Sequence, residues 1–153
     1  MIFALATPTG KAALAVFRIS GSGCHEVISK ILDKNIAEFN RVFLRKIIHD
    51  GVLVDVSTVV FYKSPKSYTG EDMVEVFCHG GFATLKKLID LFHNLNIREA
   101  EPGEFTKISV LNGKQTLNEA ESLLDLINST TDAEMNMALG VVAGELSNTV
   151  SVL

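Results

Sequence analysis

Ser67-Tyr68-Thr69-Gly70-Glu71-Asp72-Met73-Val74-Glu75-Val76-Phe77-Cys78-His79-Gly80-Gly81 reads as a polar turn, then a strand, then a glycine pair that opens a helix. The strand alternates, with Met73, Glu75 and Phe77 on one face and Val74, Val76 and Cys78 on the other. Glu75 breaks the apolar pattern of its face. A carboxylate between two large apolar neighbours costs free energy on burial unless it meets a donor. Two readings follow. In one, Glu75 points to water at a sheet edge or pairs with Arg18. In the other, it lines a pocket and accepts two parallel N–H donors from a ligand. Gly80 and Gly81 after His79 let a second chain segment or a ligand come close to the backbone.

Working toward the N-terminus, 52–62 is a β-branched strand in which Asp55 is the exception, and Asp50-Gly51 joins it as a hairpin to a strand over 41–48. Residues 12–20 alternate again. Leu14, Val16 and Arg18 face one way and Ala15, Phe17 and Ile19 the other, so Arg18 is a second charge on an apolar strand. It reads either as an edge residue that snorkels or as a clamp for an anion or carbonyl. Ser20-Gly21-Ser22-Gly23 ends that strand, and Ser22 is placed to cap a helix over 24–32 with Val27, Ile28, Ile31 and Leu32 as its stripe. The glycines have a phosphate-loop look, but the Walker spacing with Gly-Lys-Ser/Thr is missing from the chain. Residues 1–6 form a short apolar strand, followed by the turn Thr7-Pro8-Thr9-Gly10-Lys11.

Working toward the C-terminus, Leu85, Leu88, Ile89 and Phe92 predict a helix to about Asn94, and 97–99 a short strand. A short helix or turn runs from Glu101-Pro102-Gly103 to Leu111 and ends at the turn Asn112-Gly113-Lys114. Thr116 with Glu119, and Thr131 with Glu134, have the spacing of capping boxes. They open two amphipathic helices, with Leu117, Ala120, Leu123, Leu124 and Ile127 on the first and Met135, Ala138, Leu139, Val142 and Leu146 on the second. The second helix is expected to reach Leu153 without a stop signal.

The chain of 153 residues has a net charge of −4 and a pI near 5.5, which argues against a broad nucleic-acid footprint. Its length suffices to bury a full core without staples. Cys24 and Cys78 lack metal-ligand spacing and read as buried, reduced thiols of a cytoplasmic protein. No secretory signal and no apolar run of membrane length are present in the sequence, so no membrane partner is expected. No Gly-x-Ser-x-Gly elbow accompanies His79, no cluster has metal spacing, and Glu71 and Asp72 read as turn and cap residues. No catalytic residue and no metal ligand is assigned. Three charges remain: Arg18, Glu75, and Lys114 after its turn. A ligand with a pterin-like edge would suit them. Its amino group and ring N–H form a donor pair for one carboxylate, and its carbonyls or acid tail would meet Arg or Lys.

Six stretches, in order along nearly the whole chain, resemble the N-terminal part of the MnmE (TrmE) family of tRNA-modification GTPases. They are Ala6-Thr7-Pro8-Thr9-Gly10, Phe17-Arg18-Ile19-Ser20-Gly21, the stretch from Ser67 to Gly81, Glu101-Pro102-Gly103-Glu104-Phe105-Thr106, Leu111-Asn112-Gly113-Lys114, and Asn118-Glu119-Ala120-Glu121 through Asp125-Leu126-Ile127. The resemblance implies an α/β (α+β) domain with a mixed sheet flanked by helices, similar to the folate-binding fold of glycine-cleavage T-protein, over 1–115. Residues 116–153 would be the first helices of a central helical domain, cut before the GTPase domain. It further implies binding of 5-formyltetrahydrofolate as a one-carbon donor through Arg18, Glu75 and Lys114, and homodimerisation.

For the whole protein, the resemblance implies a partnership with the FAD protein MnmG and modification of the wobble uridine of tRNA. GTP, Mg and K would be handled only in the GTPase domain, so this part alone is expected to turn nothing over. Two departures from the family pattern bear on the pocket. Lys11-Ala12-Ala13 replaces the usual Arg-Gly-Gly and stiffens the first loop, and Ile108-Ser109 stands where Arg-Ala is common. The alternative reading is a pure dimerisation and docking module without folate binding. A stand-alone folate-dependent transferase is disfavoured, because only His79 and Asp72 could serve as acid or base.

Overall fold

The computed structural model describes residues 1–144. Its contacts divide the chain into two units, Met1–Phe105 and Thr106–Leu153. The part of the predicted last helix that falls on 145–153 lies outside the described residues.

The first unit holds six strands: β1 (Ile2–Leu5), β2 (Ala12–Ser20), β3 (Val42–His49), β4 (Val52–Tyr62), β5 (Met73–Gly80) and β6 (Arg98–Glu99). Two helices, α1 (Cys24–Ser29) and α2 (Phe82–Asn94), complete it, and α3 (Glu104–Leu111) begins at its end. The strands form one sheet in the order β3-β4-β5-β2-β1-β6. All neighbours are antiparallel except β1 and β6, so the sheet is mixed and the fold is α/β, as expected.

Period-two alternation sorts the two faces. Phe17, Ile19, Val59, Phe61, Val74, Val76 and Cys78 point to one side and are buried there with Phe3. Leu85, Leu88, Leu91 and Phe92 of α2 and Ile28 of α1 close that side. Each such side chain contributes roughly 1.5–3 kcal/mol when fully buried. Phe92 lies 5.2 Å from Phe3 and 5.3 Å from Phe17, centroid to centroid, in tilted and edge-on arrangements that add to the area term. The opposite face carries Leu14, Val16 and Arg18 of β2 beside Phe77 and Glu75 of β5.

The hairpin forms where Asp50-Gly51 predicts it. Both residues have positive φ, 49° and 74°, as a two-residue turn between paired His49 and Val52 requires. The helix predicted over 24–32 is shorter. It stops at Ser29 because the chain beyond is captured by β3: Leu32 bridges Ile47, and Ile48 N–H donates to the Ile31 carbonyl at 2.7 Å. Nor does Ser22 cap it. Gly23 holds the cap position at φ 84° with no side-chain bond. Gly21, at φ 128°, passes so near Met1 that a Cβ would stand 2.9 Å from the Met1 Cα, so close chain approach accounts for a glycine there.

The second unit contains α4 (Leu117–Asn128) and α5 (Asp132–Val142). The first capping box is complete: Thr116 Oγ1 accepts from Glu119 N–H at 3.2 Å, and Glu119 Oε2 accepts from Thr116 N–H at 2.7 Å. In the second, Thr131 Oγ1 accepts from Glu134 N–H, and the Glu134 carboxylate accepts from the N–H of Thr130 at 2.9 Å. Of the apolar stripes, Ala120 and Ala138 are buried, whereas Leu117, Leu124, Ile127, Met135 and Leu139 are exposed.

Candidate functional site

Arg18 and Glu75 sit directly opposite each other on β2 and β5, the two central strands of the sheet. Neither is at an edge, so the solvent-edge reading of both residues fails and the pairing between them holds. Arg18 Nε–H and Nη2–H donate to Glu75 Oε1 at 3.0 and 2.8 Å. The side chains are 26% and 12% exposed, so the pair is largely withdrawn from water. In that setting removal of one partner costs more than the pair contributes, since it strands a charge.

The surroundings were not legible as a site in the sequence. Tyr62, at the end of β4, donates its hydroxyl to Glu75 Oε2 at 2.9 Å. Burial first, and then its bond to the Glu75 carboxylate, push the Tyr62 phenol up to about 12. It therefore donates throughout the neutral range. The Arg18 guanidinium carbon lies 4.7 Å from the Tyr68 ring centroid and 6.0 Å from that of Phe105.

Tyr68 is held in place by the polar turn before β5. Ser20 Oγ and Thr69 Oγ1 are 2.7 Å apart, and Ser20 Oγ donates to Glu71 Oε2 at 2.8 Å, tying the turn to the end of β2. Asp72 accepts from Lys63 Nζ and from Ser64 N–H, at 2.8 and 2.9 Å. Glu71 and Asp72 are thus the turn's tethers, as their positions suggest. Lys114, the third predicted contact, belongs to the second unit. It is exposed, and its backbone N–H donates to the Ser109 carbonyl at 2.9 Å after the turn at Gly113.

A second polar pair stands farther along β5, toward its C-terminal end, and joins it to β4. Asp55 Oδ1 lies 2.7 Å from His79 Nδ1, and Asp55 Oδ2 accepts from His79 N–H at 3.0 Å and from Ser57 Oγ at 2.8 Å. Burial alone would raise the Asp55 carboxyl, but the donors from His79 and Ser57 outweigh it and hold the group below the usual range. Register breaks adjoin both residues, between Ile47 and Ile48 opposite Asp55 and between Ala12 and Leu14 opposite His79. Gly80 allows the second approach, because a Cβ there would stand 2.5 Å from the Ala12 carbonyl oxygen.

Both cysteines are free and buried. Burial pushes the Cys24 thiol up to about 12 and the Cys78 thiol up to about 11, which suits inert core residues. Among the described residues no group of three metal-ligating side chains converges, and no helix is long and apolar enough to cross a membrane. A cleft of about 430 Å³ lies in the second unit between α4 and α5, lined in part by Asp125, Asn128, Met137 and Val141. It includes none of the three predicted contacts.

The arrangement defines an α/β domain that offers a largely buried, donor-ringed carboxylate on the central strands of its sheet, with aromatic rings beside the arginine that pairs with it. Residues 1–114 match the family described as GTP-binding protein TrmE N-terminus, and the chain belongs to that family. It is similar to the tRNA modification GTPase MnmE of Thermotoga maritima, 47% identical over 99% of this chain and 34% of that protein. Those of Fervidobacterium nodosum and Aquifex aeolicus are each 40% identical over the same shares. The chain therefore spans about a third of the length of these relatives.

Proposed function

We propose that this chain is the folate-binding and dimerising part of a tRNA-modification GTPase, with 5-formyltetrahydrofolate as its ligand. The observation that carries the reading is the Glu75 carboxylate, kept out of bulk water on a central strand and oriented by Arg18 and Tyr62. A pterin ring fits this donor and acceptor set. Its amino group and ring N–H suit the carboxylate, and the Tyr68 and Phe105 rings flank the place where a flat heterocycle would lie. Arg18 would take a carbonyl of the ligand.

The bound folate would supply a one-carbon unit. In the whole protein, that unit would go to the wobble uridine of tRNA in partnership with MnmG, in the cytoplasm. GTP hydrolysis with its Mg and K ions would belong to the two-thirds of the relatives' length that this chain does not span. Isothermal titration with 5-formyltetrahydrofolate tests the reading. Binding in the micromolar range that Glu75→Ala removes is the expected result; no heat in the wild type would refute it.

A second reading, a pure dimerisation and docking module, is favoured by one observation. Leu14 of β2 and Val42 and Leu44 of β3 are each about two-thirds exposed, at 64%, 67% and 65%, on the face of the sheet that carries Glu75. Sedimentation showing a dimer that ignores folate, with no heat on titration, would select it.

A further inference from the structure

The Glu75 carboxylate has a limited acceptor capacity, and the fold already uses most of it. A carboxylate offers about four lone-pair positions, two on each oxygen. Arg18 Nε–H and Nη2–H take both on Oε1, and the Tyr62 hydroxyl takes one on Oε2. A ligand with two parallel donors needs one position on each oxygen. Only a position on Oε2 remains. Such a ligand can sit on Glu75 only if Arg18 gives way.

The group in the way resembles the expected ligand. A pterin's donor edge, a ring N–H beside an amino group on the same carbon, is a cyclic guanidine. The Arg18 side chain ends in an open-chain one, planar and with adjacent N–H donors. Building on the reading of Glu75 as the heterocycle's acceptor, we infer that Arg18 is an internal stand-in for the ligand, and that the site fills by exchange of one guanidine-type donor for another. Arg18 keeps a resting place when it leaves, because its guanidinium already lies against the Tyr68 ring at 4.7 Å. From there it is available to a ligand carbonyl. The ligands admitted are flat rings that carry the paired-donor edge. A ring with a single donor there has no means of displacing Arg18.

Exchange makes a quantitative demand. Apparent affinity is lowered by the fraction of molecules in which Arg18 has left the carboxylate, and removal of the competitor should restore it. The probes are 6-methylpterin, which has the edge and no tail, and 5-formyltetrahydrofolate, titrated calorimetrically into the 153-residue chain at neutral pH, where the pterin keeps its ring N–H. Arg18→Met keeps the apolar stem and deletes the donors. It is expected to tighten 6-methylpterin about tenfold, and Glu75→Gln should abolish that binding in either background. If Arg18→Met leaves 6-methylpterin unchanged or weaker while the wild type binds 5-formyltetrahydrofolate, exchange is wrong and Arg18 is a fixed contact.

A wild type that binds neither probe refutes the Glu75 reading, and exchange falls with it. A readout on the unmodified chain covers the case in which Arg18→Met does not fold. The Arg18 Nε–H resonance, followed by NMR, should lose its carboxylate-bonded shift on saturation with 6-methylpterin. Retention of shift and protection at saturation would overturn the inference.

Discussion

His79 donates its backbone N–H to Asp55 Oδ2 at 3.0 Å while its ring Nδ1 lies 2.7 Å from Asp55 Oδ1, so a single carboxylate grips one residue at two points across β4 and β5. The Asp55 carboxyl is held below its ordinary range, so it is ionised at neutral pH and takes the Nδ1–H, which fixes the tautomer. Asp55→Asn should lower stability by about 1–3 kcal/mol, read as a fall in the urea midpoint with an unchanged slope. A depressed carboxyl contributes stability above its unfolded value near 3.8 and loses it as pH falls through the folded value. The difference between wild type and Asp55→Asn should therefore shrink on acidification below about pH 4. A difference that is constant down to strong acid would contradict the assignment.

Tyr62 supplies a prediction of opposite sign. Its phenol is raised from 10.0 to about 12, so its contribution to stability is fully present below pH 10 and is lost as pH rises through about 12. Alkaline titration followed by phenolate absorbance should show a late step that Tyr62→Phe removes. The same variant should weaken 5-formyltetrahydrofolate about tenfold or less, since one hydrogen bond orienting a carboxylate is worth roughly 1–1.5 kcal/mol.

Gly80 and Gly81 should respond very differently to the same change. An added Cβ at Gly80 would collide with the Ala12 carbonyl oxygen, and one at Gly81 meets nothing within 4 Å. Gly80→Ala is expected to cost about 2–3 kcal/mol, whereas Gly81→Ala, at φ −74°, should be close to neutral. Thermal melts of the two variants side by side decide the point.

The cysteines should be silent in the native protein. With thiols raised to about 12 and 11, Cys24 and Cys78 carry almost no thiolate at neutral pH. A disulfide thiol reagent should label neither until denaturant is added, and then label both. Rapid labelling under native conditions would show that one of them reaches the surface.

Local pattern accounts for what could be read in advance. Alternation placed β2 and β5 and sorted their faces, a run of β-branched residues placed β4, Asp50-Gly51 marked the hairpin, and Thr116 with Glu119 marked the start of α4. Those features depend on residues a few positions apart. The end of α1 does not, because Leu32 is drawn off by Ile47 of β3, a partner that only the tertiary fold supplies. The same limit applied to the site. Arg18 and Glu75 stood out as charges on apolar strands, but their direct pairing depends on a register between residues 57 positions apart. Tyr62, Tyr68 and Phe105 gave no signal, since an aromatic residue at a strand end or in a turn looks ordinary until its neighbour is known. Asp55 looked like a blemish in a β-branched run and His79 like a solitary imidazole, because what joins them is pairing across two strands.

The sealed and unsealed faces of β5 divide its residues into two independent sets. Val74, Val76 and Cys78 are bound to the Phe3–Phe17–Phe92 cluster, while Glu75, Phe77 and His79 are not. A lineage can therefore rewrite what this strand recognises by changing every second codon, and leave untouched the residues on which folding rests.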